Sequence, residues 1–255
     1  MSFEVAADAY ERFMGRFSAP LATRFADLAG VVPGQRVLDV GAGTGALTNE
    51  LVTRLGATAV AAVDPSEAFV AAARARFPEI DVRLGSAEHL PYQSGEFDCA
   101  LAQLVVHFMA DPVAGLHEMA RVTRPGGVVA ACVWDHAGGG GPVSLFWRAV
   151  RHLDPAARDE SGLAGAREGH LAELFTAAGL SFVESTGLSV EVTYADFAAW
   201  WEPYTLGVGP AGDYVRGLDT VHRDALRAQC ASQLPTQGPI TITALAWAAT
   251  ARVPA

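Results

Sequence analysis

At 255 residues and 51% apolar composition, the chain is long enough to bury one substantial core and too short to favour two independent domains. A formal net charge of −10 repels phosphate backbones, which excludes nucleic acid as the expected partner. Cys99, Cys132 and Cys230 have neither metal-ligand spacing nor an even count, and read as buried thiols of a reducing compartment.

The N-terminus lacks a basic head followed by an apolar run, and no stretch reaches the roughly twenty uncharged apolar residues of a membrane span, so a soluble, cytoplasmic protein is expected. Residues 8–14 and 19–28 read as two helices separated by Gly15 and the break at 18–20. Tyr10, Phe13, Met14 and Phe17 recur at helical spacing, which describes an apolar face lying on the body of the domain. A Pro-Gly turn over 31–35 leads into a buried strand, 37–40, that runs into Gly41, Gly43 and Gly45 and a helix over 44–54. Glycines at such a turn permit positive φ and let the backbone approach a ligand lying over the strand end. Asp39 stands two residues before the first of them. A fixed carboxylate there opposes a diphosphate and favours a cationic ligand.

Residues 59–63 suit a short buried parallel strand and end in Asp64-Pro65-Ser66. A carboxylate closing the second strand of a βαβ unit lies beside the glycine loop, where it can accept both hydroxyls of a ribose; it also begins a helix with Ser66 as N-cap. That helix runs over 68–77 and is stopped by Pro78. A third strand follows at 80–84, then Ser86-Ala87-Glu88, a Gly-containing turn and a fourth strand over 97–102. Gln103 lies just past this strand and His107 on the next turn, on the cleft side of a parallel sheet. Asp111-Pro112 opens a helix to 122, RVTRPGG makes a turn, and 128–133 form a fifth strand with Trp134, Asp135 and His136 at its carboxyl end. The glycine run 138–141 reads as a linker or a hinge.

The second half carries no nucleotide signature. Helices are expected at 142–153 and 169–178, strands at 180–192 and 240–251. Between the strands, 193–234 is mostly helical and carries Phe197, Trp200, Trp201 and Tyr204. These rings form either a core cluster or an aromatic wall facing the cleft, and the wall is the expectation. No G-x-S-x-G, H-E-x-x-H or paired C-x-x-C occurs, so neither a serine-hydrolase site nor a metal site is expected.

VLDVGAGTGALT, together with DPSEAFV and RVTRPGG, resembles the class I methyltransferases that use S-adenosylmethionine, in particular their type 11, ubiquinone/menaquinone-methyltransferase-like group. The resemblance spans the first half of the chain. With the strand–helix alternation, it implies an α/β, Rossmann-like three-layer sandwich with a seven-stranded, mainly parallel sheet whose last long strand runs antiparallel. It implies a single methyltransferase domain: cap helices over 1–30, a cofactor-binding half over 31–136, sheet completion over 137–192 and 235–255, and a helical lid over 193–234.

The resemblance also implies roles residue by residue. Tyr10 and Arg16 of YERFMGRFS approach the carboxylate of the methionine moiety, although the residues alone speak first for packing. Asp39, Gly41, Ala42 and Gly43 form the cofactor loop, and Asp64 with Pro65 meets the ribose. Phe69 stands where an apolar side chain covers adenine. Ser86 replaces the usual acceptor of the adenine amino group, Ala87 supplies the neighbouring backbone N–H, Glu88 partly compensates, and Gln103 walls the methionine moiety. The implied reaction is direct displacement at the sulfonium methyl by a small-molecule acceptor, aromatic or isoprenoid-like, with alignment and exclusion of water as the main aids. His107, or His136 oriented by Asp135, is the candidate base. A non-catalytic S-adenosylmethionine-binding module is one alternative. The other, a nicotinamide-dependent oxidoreductase, is disfavoured by Asp39 and the GxGxG spacing.

Overall fold

The computed structural model describes residues 7–254. The chain enters as one helical run of α1 (Ala7–Tyr10), a π-helical turn (Glu11–Gly15) and α2 (Arg16–Leu28). The expected break at 15–20 is absent, although Pro20 lies inside α2. An interior proline costs about 3 kcal/mol of helix, and burial of Phe17, Leu21 and Phe25 on the same helix outweighs it.

The sheet has seven strands: β1 (Val37–Val40), β2 (Val60–Asp64), β3 (Asp81–Leu84), β4 (Phe97–Gln103), β5 (Thr123–Trp134), β6 (Ser181–Tyr194) and β7 (Ile240–Arg252). Their order is β3-β2-β1-β4-β5-β7-β6. The first five run parallel, and β7 is antiparallel to both β5 and β6. The order reverses between β1 and β4, which opens a crevice beyond their carboxyl ends. The last five residues of RVTRPGG, 123–127, are not a turn before β5 but a bulge within it. Thr123 already pairs with Phe97, and Gly126, at φ +74°, donates its N–H to Val253.

Strand alternation divides β1 between two cores. Val37 packs into one, with α2, α3 (Ala46–Leu55), α4 (Glu67–Arg76) and α6 (Ser144–Leu153); Leu38 and Val40 pack into the other, with α5 (Pro112–Val122) and α7 (His170–Ala177). Helices on both faces make the three layers. The segment between β6 and β7 adds α8 (Phe197–Trp201), a 3₁₀ turn (Glu202–Leu206), α9 (Gly209–Gly217) and α10 (Thr220–Ala231).

The aromatic wall expected on that segment is instead core. Trp200, Trp201 and Tyr204 are buried, Tyr204 stacks on Phe146 at 4.6 Å between ring centroids, and Phe13 meets Tyr204 edge-on at 4.9 Å. The short helix and its 3₁₀ continuation bury these rings against α6 and the entering helix, because large rings lose most by staying wet. The glycine run at 138–141 is neither linker nor hinge: it wraps the buried Asp135 carboxylate, which leaves no room for a Cβ at Gly138 or Gly140.

Phe146 is fully buried at the centre of the aromatic cluster. Phe146→Ala is expected to lower the unfolding free energy by about 3–5 kcal/mol in urea titration; a loss under 1 kcal/mol would show that the cluster is dispensable.

Candidate functional site

Asp39 is the third residue of β1, and strand alternation turns its side chain toward α3. There its carboxylate, 1% exposed, accepts a hydrogen bond from the Thr48 hydroxyl at 2.6 Å. Burial pushes its pKa up to about 7, the Thr48 bond pulls it back, and the nearby Asp64 charge raises it further. Near neutrality the group is therefore poised between its charged and neutral forms. Asp64 closes β2. Its Oδ2 accepts the N–H of Gly43 at 2.8 Å and its Oδ1 that of Ser66 at 2.8 Å; burial raises its pKa as well, against those two bonds. Ser66 caps α4 through the Phe69 N–H.

The loop glycines divide the work. A Cβ on Gly41 would lie 2.5 Å from a Val105 methyl, so Gly41 serves packing of the loop on the turn after β4. A Cβ on Gly43 meets nothing nearer than 4.0 Å, which leaves its open side for a ligand. Gln103 ends β4 and donates its Nε2 to the Ser18 carbonyl at 3.0 Å, tying α2 to the strand end. Leu104 follows at φ +61°, a left-handed conformation that is strained for a residue with a Cβ.

Two adjoining cavities open here. The first, about 160 Å³, is lined by Tyr10, Asp39, Gly41, Ala42, Gly43, Asp64, Pro65, Phe69 and Gln103, together with Ser18, Leu104, Val105 and Phe108. None of the described residues lining it is basic. The second, about 240 Å³, is lined by His107, Trp134, His136, Glu160 and residues 207–211, with Phe13, Met14, Asp213 and Arg216. Tyr10, Phe69, Leu104 and Phe108 belong to both walls, so the two spaces meet across these four side chains.

His107 and His136 face each other in the second cavity, with ring centroids 6.1 Å apart. Burial, then the neighbouring His136, pushes the pKa of His107 down to about 3, so the ring is neutral at pH 7. Burial lowers His136 too, while the carboxylates of Glu160, Asp135 and Asp159 work in the other direction. Asp135 does not orient His136. Its carboxylate accepts from Gly138 N at 2.8 Å, Gly140 N at 3.1 Å and Trp247 Nε1 at 2.9 Å, and those donors neutralise the cost of burying it. The acid that shares the cavity with His136 is Glu160, held by Trp147 Nε1 at 2.8 Å.

Four of the expected cofactor residues lie outside both cavities. Arg16 is exposed and stacks over Tyr194, because the unbroken helix carries it to another face than Tyr10. Ser86, Ala87 and Glu88 pack toward the start of α5: Ala87 is buried beside Gly115, and Glu88 accepts the N–H groups of Ala110 and Asp111. Thr48, Ser18, Leu104 and Glu160 were missed by sequence reasoning. Thr48 carried a usable signal, since a hydroxyl one helical turn into the helix after a strand-end Asp is positioned to meet it. The others depend on long-range packing.

The seven-stranded Rossmann-like sheet thus opens two cavities beyond its carboxyl edge. Residues 38–131 match the type 11 family described as "Methyltransferase domain". It is 40% identical over 135 residues to an uncharacterized methyltransferase of Mycobacterium tuberculosis (strain ATCC 25618 / H37Rv), a stretch covering 53% of this chain and 52% of the relative. It is 44% identical over 103 residues to a demethylmenaquinone methyltransferase of Mycobacterium sp. (strain KMS), covering 40% of this chain and 43% of that one. The chain thus spans about half the length, or less, of these curated relatives. The crystal structure of the YcgJ protein from Bacillus subtilis shares the fold, with a TM-score of 0.58, 18% identity, and coverage of 94% of this chain and 99% of that one.

The Asp39 proton has a consequence for stability. Its folded pKa, about 7, exceeds the ordinary 3.8, so the folded state binds the proton more tightly and this group's contribution to stability falls as pH rises from about 4 to about 7. Asp39→Asn removes the titration. The variant is expected to gain on the parent across that window, by about 1–4 kcal/mol at pH 8, as read by thermal unfolding at a series of pH values. Parallel pH profiles would show that Asp39 is not perturbed.

Proposed function

We propose that the protein transfers a methyl group from S-adenosylmethionine to a small-molecule acceptor. The observation that carries this reading is the first cavity's sign: two strand-end carboxylates, and no basic side chain among the described residues lining it. A diphosphate needs cations or free N–H groups, and the Gly43 N–H is already engaged by Asp64. A sulfonium nucleoside is cationic and fits.

In this reading Asp64 takes the ribose, Pro65 and Phe69 cover the base, and Asp39 and Gln103 stand at the methionine end, with Tyr10 closing over it. Bound there, the cofactor supplies a methyl group already activated by positive sulfur. The protein's share is alignment and dryness. Leu104, Phe69, Phe108 and Tyr10, common to both cavities, form the place where donor and acceptor meet. His136, beside Glu160, would take the proton that the acceptor gives up. The position of residues 207–211, Asp213 and Arg216 on the second cavity supports 193–234 as a lid, and that of Tyr10, Phe13 and Met14 supports a cap over 7–30, residues 1–6 lying outside those described.

Incubating the protein with methyl-labelled S-adenosylmethionine and small-molecule extracts, followed by mass spectrometry, is expected to yield a labelled product. Binding of NADPH but not of S-adenosylhomocysteine would overturn the reading. Asp64→Asn is expected to weaken S-adenosylhomocysteine by about tenfold or more in calorimetry, the loss of charge-assisted bonds to two hydroxyls.

A cationic ligand favours the charged form of Asp39. Affinity for S-adenosylmethionine is therefore expected to rise between pH 6 and pH 8, through the carboxyl's value of about 7, and this rise should vanish in Asp39→Asn. A rise that persists in the variant would assign the titration to another group.

A further inference from the structure

A hydroxyl on a helix commonly bonds back to the carbonyl four residues earlier. Ser18 does so to Met14, Thr53 to Asn49 and Thr176 to Ala172. Thr48 does not. It is the third residue of α3 and fully buried, and its hydroxyl crosses to β1, where it donates to Asp39 Oδ2 at 2.6 Å. The carbonyl it forgoes, that of Thr44, accepts from Arg76 Nη1 at 3.0 Å. The kind of donor matters as much as its position. Asp135 is surrounded by N–H groups, which only donate and so serve an ionised carboxylate alone. A hydroxyl also accepts. Thr48 can donate to ionised Asp39 and take the reversed bond from its protonated form, so neither state leaves this buried pair unsatisfied.

We propose that Thr48 is a positioning residue for the cofactor: its hydroxyl lets Asp39 exchange a proton while buried, and holds it in the ionised form when a cationic ligand fills the first cavity. The proposal rests on the methyl-transfer reading and names how uptake at that site is regulated. Asp39 and Asp64 both line the cavity, from the ends of β1 and β2. Across the sheet Asp39 pairs with Ala62 of β2 and Leu101 of β4, and α2 brings the uncharged Ser18 to the same wall. Among the described residues, the charged group acting on Asp39 is therefore Asp64. Burial favours protonated Asp39, the Thr48 hydroxyl opposes burial, and Asp64 adds to it. With the hydroxyl removed, only the Thr48 backbone N–H still favours the ionised form. More of Asp39 then carries its proton at pH 7, and a cationic cofactor must displace that proton to bind. The handicap fades as pH rises and Asp39 ionises without the bond.

The test is calorimetric titration of the full chain between pH 6.5 and pH 8.5 with two probes, S-adenosylmethionine and the uncharged nucleoside 5′-methylthioadenosine. Thr48→Val keeps the shape and removes the hydroxyl. It is expected to bind S-adenosylmethionine about fivefold or more weaker than wild type at pH 7, and within about twofold of wild type at pH 8.5. Thr48→Ser restores the hydroxyl and should stay within about twofold of wild type throughout. Binding of 5′-methylthioadenosine should change by less than about twofold in either variant, because it brings no positive charge to Asp39. A residue that served packing alone would give a loss equal at every pH and equal for both probes, and that result would overturn the proposal. In the unliganded protein, the NMR titration of the Asp39 carboxyl carbon should move from about 7 to higher pH in Thr48→Val and stay in place in Thr48→Ser. An unmoved midpoint in Thr48→Val would overturn the proposal as well; Thr48→Ala gives the same reading if Thr48→Val does not fold. Absence of S-adenosylmethionine binding by the wild type, with the midpoint still moved in the variant, would remove the methyl-transfer reading and leave the Thr48 control of the Asp39 proton standing.

Discussion

A carboxylate buried at the end of a parallel strand needs a reason, because burial without a full set of donors is expensive. Asp39 has one side-chain donor, the Thr48 hydroxyl, and lies against the wall of a cavity lined by a second carboxylate and no cation. Its neighbours, the glycine turn and the start of α3, close over it so tightly that its proton is retained to about pH 7. The arrangement is satisfied best by a positive ligand. The acidic lining of this cavity and the raised pKa of Asp39 both follow from burying strand-end carboxylates.

Contrast with the other acidic groups makes the point sharper. Asp135 is buried too, but three N–H donors surround it, and the glycines at 138 and 140 exist because its oxygens occupy the space their Cβ atoms would take. Glu88 and Glu118 are held by backbone N–H groups, Glu118 with Arg121 in addition. These carboxylates are structural, and their donors say so. Asp39, held by Thr48, and Glu160, held by Trp147, stand on the cavity walls.

The junction between the cavities is built from distant parts of the chain. The entering helix supplies Tyr10 and the Ser18 carbonyl that anchors Gln103; α4 supplies Phe69; the strained turn after β4 supplies Leu104 and Phe108. A strained leucine survives only where the surroundings over-determine it. Here the Cys132 bond on one side and Val105 packed on Gly41 on the other fix the turn, so the partition between the two spaces is rigid where it leaves the sheet.

Local signals in the sequence determined the strand–glycine–helix units, the two strand-end aspartates and the Ser66 and Asp111 caps, because these depend on neighbours within one turn or one strand. The mainly parallel character of the sheet was legible from the strand–helix alternation, although the β3–β4 connection carries no helix. Tertiary structure alone decided the rest. It kept the entering helix whole through Pro20, sank the Trp200–Tyr204 rings into the core, and gave Asp135 to a glycine clasp while Glu160, far along the chain, took the place beside His136. It also carried Arg16 and residues 86–88 away from the cavities. Burial and long-range donors are properties of the assembled layers, and no pattern of spacing along one strand or helix encodes which distant group will be waiting on the other side.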